Sequence, residues 1–144
     1  MLVSQILGSK GTGDIISVTP DATIGDAARI LSEKRIGALV VRSGNGLPEG
    51  ILSERDIVRE LGRQGAACLD NKVADLMTRE IVHTTKEERT DAVLQKMTEG
   101  RFRHMPVFDG DTLAGVISIG DVVKARLSEL SMEKDALEGM IKGF

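Results

Sequence analysis

The chain is 144 residues long, 41% hydrophobic and 28% charged, with a formal net charge of −3 at pH 7. That is enough apolar chain for one compact domain or two small interlocked ones, and it offers no global basic field to draw the protein to nucleic acid or an anionic membrane. Cys68 is the only cysteine, which excludes an intramolecular disulfide and a Cys-based zinc cluster, and two separated histidines, His83 and His104, do not make a metal-ligand set.

No apolar run approaches the ~20 residues of a membrane span, and Met1-Leu2-Val3-Ser4-Gln5-Ile6 lacks the basic start and long apolar region of a signal peptide. The expectation is a soluble cytoplasmic protein. Trp and Tyr are absent, and Phe102, Phe108 and Phe144 are the only aromatic residues. A flat ring bound here must be held by aliphatic side chains and backbone, not by stacking platforms.

In chain order, Val3, Ile6 and Leu7 have the spacing of a short helix, reproduced 70 residues later by Val73, Leu76 and Met77. Each is followed by a β-type run, Ile15-Ile16-Ser17-Val18 and Ile81-Val82-His83-Thr84, now 66 residues apart. The first copy therefore carries four extra residues around Ser9-Lys10-Gly11-Thr12-Gly13, read as a loop. Amphipathic helices come next, with Ile24, Ala27, Ala28 and Leu31 in the first copy and Thr90, Val93, Leu94 and Met97 in the second. Thr and acids precede both, which suits a helix N-terminus, and Gly37 and Gly100 are the expected left-handed caps. Strands Ala38–Val41 and His104–Val107 follow, then turns at Ser43-Gly44-Asn45-Gly46 and Asp109-Gly110-Asp111. Gly62 to Cys68 reads as a linker or frayed helix end between the copies.

The most telling repetition is Gly50-Ile51-Leu52-Ser53-Glu54-Arg55-Asp56, which returns 65 residues on as Gly115-Val116-Ile117-Ser118-Ile119-Gly120-Asp121. In each, an apolar strand breaks into a helix at a serine. Ser-x-x-Asp is a capping box, in which the serine oxygen takes a backbone N–H and the acid reaches back. The same geometry offers free N–H groups and a positive dipole end to a phosphate, with a carboxylate that can accept both hydroxyls of a ribose. Asp56 and Asp121 are then ribose ligands, with Ser53, Ser118 and Arg55 near phosphate. The whole chain reads as one α+β unit of helix–strand–helix–strand–strand–helix written twice: repeat 1 over 1–66, repeat 2 over 67–127, and a C-terminal helical extension over 128–144. Two copies this small should pack on one another.

Gly-Ile-Leu-Ser-Glu-Arg-Asp, Arg-Phe-Arg-His-Met-Pro-Val (101 to 107) and Gly-Val-Ile-Ser-Ile-Gly-Asp, in this order, make the chain resemble a tandem pair of cystathionine-β-synthase-type (CBS) domains, or Bateman module. The resemblance implies adenine nucleotides in two clefts between the repeats, AMP first among them, with ADP, ATP or NAD(H) as alternatives. It implies ribose contacts at Asp56 and Asp121, with Ser53, Arg55 and Ser118 beside them, phosphate contacts at Arg103 and His104, and a nucleotide contact at Pro106. Thr19 and Thr85, with Ile16, Val18, Ile36, Ala38 and Val82, would line the adenine pockets, and Lys10 is a weaker phosphate candidate. The copies differ at Ile36-Gly37-Ala38 against Phe102-Arg103-His104, and at Arg55 against Gly120, so the two sites need not bind alike.

Other roles compete for these residues. Arg101, Arg103 and His104 also suit the charged face of an edge strand. A Ser118–His104–Asp121 triad is poorly supported, because the serine and acid are committed to a cap and no oxyanion hole is identifiable. The C-terminal run Val123, Leu127, Leu130, Leu137, Ile141, interrupted by Lys134, either packs on its own module or forms a dimer interface. Free-standing pairs resembling this one form disc-like dimers, which favours the second. The expectation is a regulatory adenine-nucleotide sensor without catalysis, a homodimer acting on an unknown protein target. The alternatives are an interaction module with vestigial clefts and a small hydrolase using His104.

Overall fold

A computed structural model describes residues 1–10 and 15–141. The Gly11–Gly13 part of the extra loop and Phe144 lie outside the described residues. The six-element unit occurs twice. The first copy is α1 (Val3–Lys10), β1 (Ser17–Val18), α2 (Ile24–Lys34), β2 (Ala38–Val41), β3 (Gly50–Ser53) and α3 (Glu54–Gln64). The second is α4 (Val73–Leu76), β4 (Thr84–Thr85), α5 (Thr90–Gly100), β5 (His104–Asp109), β6 (Thr112–Ser118) and α6 (Ile119–Ile141). Each copy forms a three-stranded sheet, ordered β1-β2-β3 and β4-β5-β6. In both, the short first strand runs parallel to the second, as a crossover through α2 or α5 requires.

The compact units do not follow the repeats. One comprises Asp14–Val82 with Asp111–Ala114, and the other Met1–Gly13, His83–Gly110 and Gly115–Phe144. Each copy's opening helix is given to the other copy's sheet. In the first-named unit, the N–H of Val73 donates to Ala22 C=O at 2.8 Å and that of Ala74 to Pro20 C=O at 3.0 Å. In the other, the N–H of Val3 donates to Glu88 C=O at 2.9 Å and that of Ser4 to Lys86 C=O at 3.0 Å. The apolar residues of α1 and α4 are too few to bury one another, and each instead fills a neighbouring core. Val73 and Met77 join Ile24, Ala27, Leu31, Leu39, Leu52 and Ile57 in one cluster. Val3 and Ile6 are equally buried in the other unit.

The exchange explains the glycine that opens each signature. A Cβ on Gly50 would stand 2.6 Å from Met77 Sδ and 2.9 Å from Thr78 C=O, and one on Gly115 would stand 2.9 Å from Leu7 Cδ2. Both positions let the borrowed helix lie close on the strand.

Four local expectations need correction. Gly37 and Gly100 do not cap helices. The left-handed residues are Arg35 (φ 55°) and Arg101 (φ 57°), whose N–H groups bond Leu31 and Met97 carbonyls, while a Cβ on Gly100 would meet the Phe102 ring. Only Ser17–Val18 and Thr84–Thr85 pair as strands, opposite Val40–Val41 and Val107–Phe108. Ser9 and Lys10 belong to α1, not to a loop. Gly62 lies within α3, which runs into a 3-10 segment, Gly65–Asp70, where Cys68 is fully buried. The long C-terminal helix is present as one rod, but its stripe does not pack on its own unit: Val123, Leu127, Leu130, Leu137 and Ile141 are all exposed.

The two glycines should tolerate alanine differently. Gly50→Ala meets backbone as well as sulfur and is expected to cost about 1–3 kcal/mol. Gly115→Ala meets only the end of a flexible leucine and should cost clearly less. Urea midpoints of the two variants check this, and equal losses would refute the close-approach argument.

Candidate functional site

The first corner is built by the turn from β3 into α3. Ser53 ends the strand in extended conformation, φ −106° and ψ 159°. Its Oγ accepts the Asp56 N–H at 3.2 Å, and Asp56 Oδ2 accepts the Ser53 N–H at 2.9 Å. The N–H of Glu54 donates to Gly37 C=O at 2.9 Å, and Ala38 stands opposite Ser53 in the ladder. The segment 36–38 therefore runs alongside the corner. One turn on, Arg59 Nη1 lies 3.4 Å from Asp56 Oδ1, a pairing legible from the i, i+3 spacing but missed in the sequence.

The second corner repeats the construction. Ser118 Oγ accepts the Asp121 N–H at 3.2 Å, and Asp121 Oδ2 accepts the Ser118 N–H at 2.8 Å. The N–H of Ile119 donates to Arg103 C=O at 2.7 Å, the counterpart of the Glu54–Gly37 bond. Arg103, exposed, and His104, half-buried at the start of β5, thus flank this corner.

A cation separates the two. Lys10, at the end of the borrowed helix α1, puts Nζ 2.8 Å from Asp121 Oδ2 and 3.0 Å from Val116 C=O. At the 70-residue helix offset the other copy has Glu80 in its place. Burial pushes the Asp121 carboxyl up, but the hydrogen bonds from Lys10 and Ser118 and the charge of Lys10 outweigh it, and the net shift is down.

The cap expectation is met in full at both corners, which leaves less for an anion. The first and third N–H groups of each helix already have protein acceptors. The second, on Arg55 and Gly120, have none among the described residues and remain as donors. Asp121 Oδ1 likewise has no protein donor among the described residues, and a hydroxyl could use it.

Ile36, Ala38, Ser53, Arg55 and Asp56 gather at the first corner, and Arg103, His104, Ser118 and Asp121 at the second. Thr19 and Thr85 do not join them within their own sheets. Thr19 follows Val18, which faces Val41, roughly 10 Å along β2 from Ala38. Thr85 faces Phe108, roughly 13 Å along β5 from His104. Pro106 is buried mid-strand and Val82 is exposed ahead of β4.

A family model described as CBS domain matches the chain twice, over residues 3–63 and 73–128. The mitochondrial CBS domain-containing protein CBSX3 of Arabidopsis thaliana is 36% identical over 148 aligned residues, covering 98% of this chain and 72% of that protein. The crystal structure of a CBS-domain containing protein from Agrobacterium tumefaciens superposes with a TM-score of 0.84 at 46% identity, covering 88% of this chain and 99% of the other. A CBS domain protein from Pyrobaculum aerophilum, solved in complex with AMP, superposes with a TM-score of 0.76 at 26% identity, covering 92% and 99%.

The Lys10–Asp121 pair predicts a pH signature. A carboxyl lowered in the folded state contributes stability above its unfolded pKa and loses it as pH falls through the folded value. Lys10→Met removes the Lys10 hydrogen bond and charge that lower it, so the Asp121 carboxyl should titrate higher than in wild type and the stability this carboxyl loses in acid should shrink. A side-chain carboxyl NMR titration reads this directly; an Asp121 titration identical in wild type and Lys10→Met contradicts it.

Proposed function

The chain belongs to the CBS-domain family as a tandem pair, and from that premise we propose that it is a regulatory module that binds an adenine nucleotide and performs no catalysis of its own. The observation that carries this reading is the duplicated corner. In each, a partly covered aspartate stands at a helix start beside one remaining N–H donor, Arg55 or Gly120, as a ribose and phosphate pair needs. AMP ranks first, followed by NAD(H) and ATP. The cations beside the corners, Arg55 and Arg59 at one and Arg103 and Lys10 at the other, suit one phosphate better than three, and the Pyrobaculum relative was solved with AMP. Asp121 already holds Lys10, so the corners should differ in affinity. The acting form is a homodimer, and a protein partner reads a ligand-dependent change of packing, which requires different affinities for the two states.

The full satisfaction of both caps supports a second reading, an interaction module whose corners serve as caps alone. A hydrolase using His104 is less well supported, since Ser118 and Asp121 are engaged with each other and with Lys10. Calorimetry and thermal shift with AMP, ADP, ATP, NAD(H) and guanine nucleotides separate these. A ligand at 100 times its Kd should add about 2.7 kcal/mol of stability, and a flat response across the panel favours the second reading. Asp56→Asn and Asp121→Asn keep a cap acceptor but lose the charged diol acceptor, so at least one should weaken AMP about tenfold or more. AMP and 2′-deoxy-AMP binding equally would rule out the ribose contact.

A further inference from the structure

We propose that Lys10 is a specificity-determining residue of the second corner: its ammonium donates to one hydroxyl of a ribose while Asp121 Oδ1 accepts from the other. This rests on the nucleotide reading put forward above and assigns Lys10 to the sugar, not to the phosphate.

Lone pairs decide what this corner can hold. A carboxylate oxygen accepts about two hydrogen bonds. Asp121 Oδ2 already accepts the Ser118 N–H and Lys10 Nζ, each at 2.8 Å. It has no capacity left for a hydroxyl, so a grip on both hydroxyls through both oxygens is closed here. Oδ1 remains, with no protein donor among the described residues.

Lys10 makes good the loss. An ammonium carries three N–H groups. One goes to Asp121 Oδ2 and one to Val116 C=O at 3.0 Å. The third has no protein acceptor among the described residues, and the side chain is 40% exposed. Two acceptors, one on β6 and one in the first turn of α6, hold the ammonium in place. What is left is one donor and one acceptor on a single ion pair. Two neighbouring hydroxyls match it, because a hydroxyl can donate or accept. A phosphate matches only the donor half, and its charge would stand against the Asp121 carboxylate. The Gly120 N–H and Arg103 are then the groups left for the phosphate.

The first corner lacks this device. Glu80 stands where the helix offset would place a second Lys10. Asp56 Oδ2 accepts only the Ser53 N–H among the described residues, so that acid keeps capacity for a hydroxyl on the oxygen that is closed at Asp121.

The test is a titration of the full chain with AMP, 2′-deoxy-AMP and 3′-deoxy-AMP, followed by NMR at the Gly120 amide, which reports on the second corner. Wild type should bind AMP about tenfold or more tighter than each deoxy form. In Lys10→Met, AMP should weaken about tenfold, and its preference over at least one deoxy form should fall to about twofold or less. Preferences over both deoxy forms that survive in Lys10→Met overturn the inference and leave the nucleotide reading standing. That holds whether AMP weakens, as a phosphate contact predicts, or does not, as a merely structural tie predicts. Wild-type indifference to both missing hydroxyls overturns it as well. A Gly120 amide that responds to none of the three overturns both this inference and the nucleotide reading of the second corner.

Discussion

Each sheet of this protein is completed by a helix that the other copy supplies, and much else follows from that exchange. A short helix such as α4 has little stability by itself. It persists because Val73 and Met77 enter the core built by α2, β2 and β3, and because its first N–H groups find the Ala22 and Pro20 carbonyls. The strand beneath must then give way, which is why Gly50 and Gly115 carry no side chain. The same exchange delivers Lys10 to Asp121, so the end of a borrowed helix adds to the asymmetry that Arg55 and Arg59 already give the corners.

At each corner the cap uses one oxygen of a carboxylate and leaves the other outside it. The Oδ2 atom of Asp56 and Asp121 holds the N–H of the capping serine. The other oxygen meets Arg59 at the first corner and has no protein donor among the described residues at the second. Cap and ligand site are therefore compatible, because the cap orients the acid that a hydroxyl would meet. This is preorganisation from ordinary secondary-structure chemistry: the fold needs the acid in place whether or not a ligand arrives.

The order of elements was legible because both periodicities, 3.6 for α2 and α5 and 2 for the strands, recur at fixed offsets. The corners were legible because Ser-x-x-Asp constrains its own geometry. What was not legible depends on distant partners. Three apolar residues in α1 say that a helix exists but not which sheet it covers. Ile15-Ile16 and Ile81-Val82 have the right composition for strands, yet the ladders form one or two residues later, at Ser17–Val18 and Thr84–Thr85. Where Thr19 and Thr85 stand along their sheets was illegible for the same reason, since their positions depend on the parallel register. The arginine caps are a local miss: a positive φ is costly for any residue with a Cβ, and glycine was the natural guess, but Gly100 is committed to the Phe102 ring.

Helix α6 brings these features together. Its first turn carries Asp121, its inner face is anchored by Glu129, and its outer face leaves Val123, Leu127, Leu130, Leu137 and Ile141 exposed. A helix of 23 residues is about 35 Å long, and it bends little without a proline or a break in its hydrogen bonds. A ligand at the second corner would meet the start of a rod whose far end is exposed. A ligand that drew Lys10 away from Asp121 would alter the seating of α1 and of the first turn of α6, and it would shift that seating only to the extent that its affinities for the two seatings differ. The first corner lies at the start of α3, a helix of 11 residues with no comparable extension. The two corners are alike in construction, but only the second opens a helix that runs 23 residues.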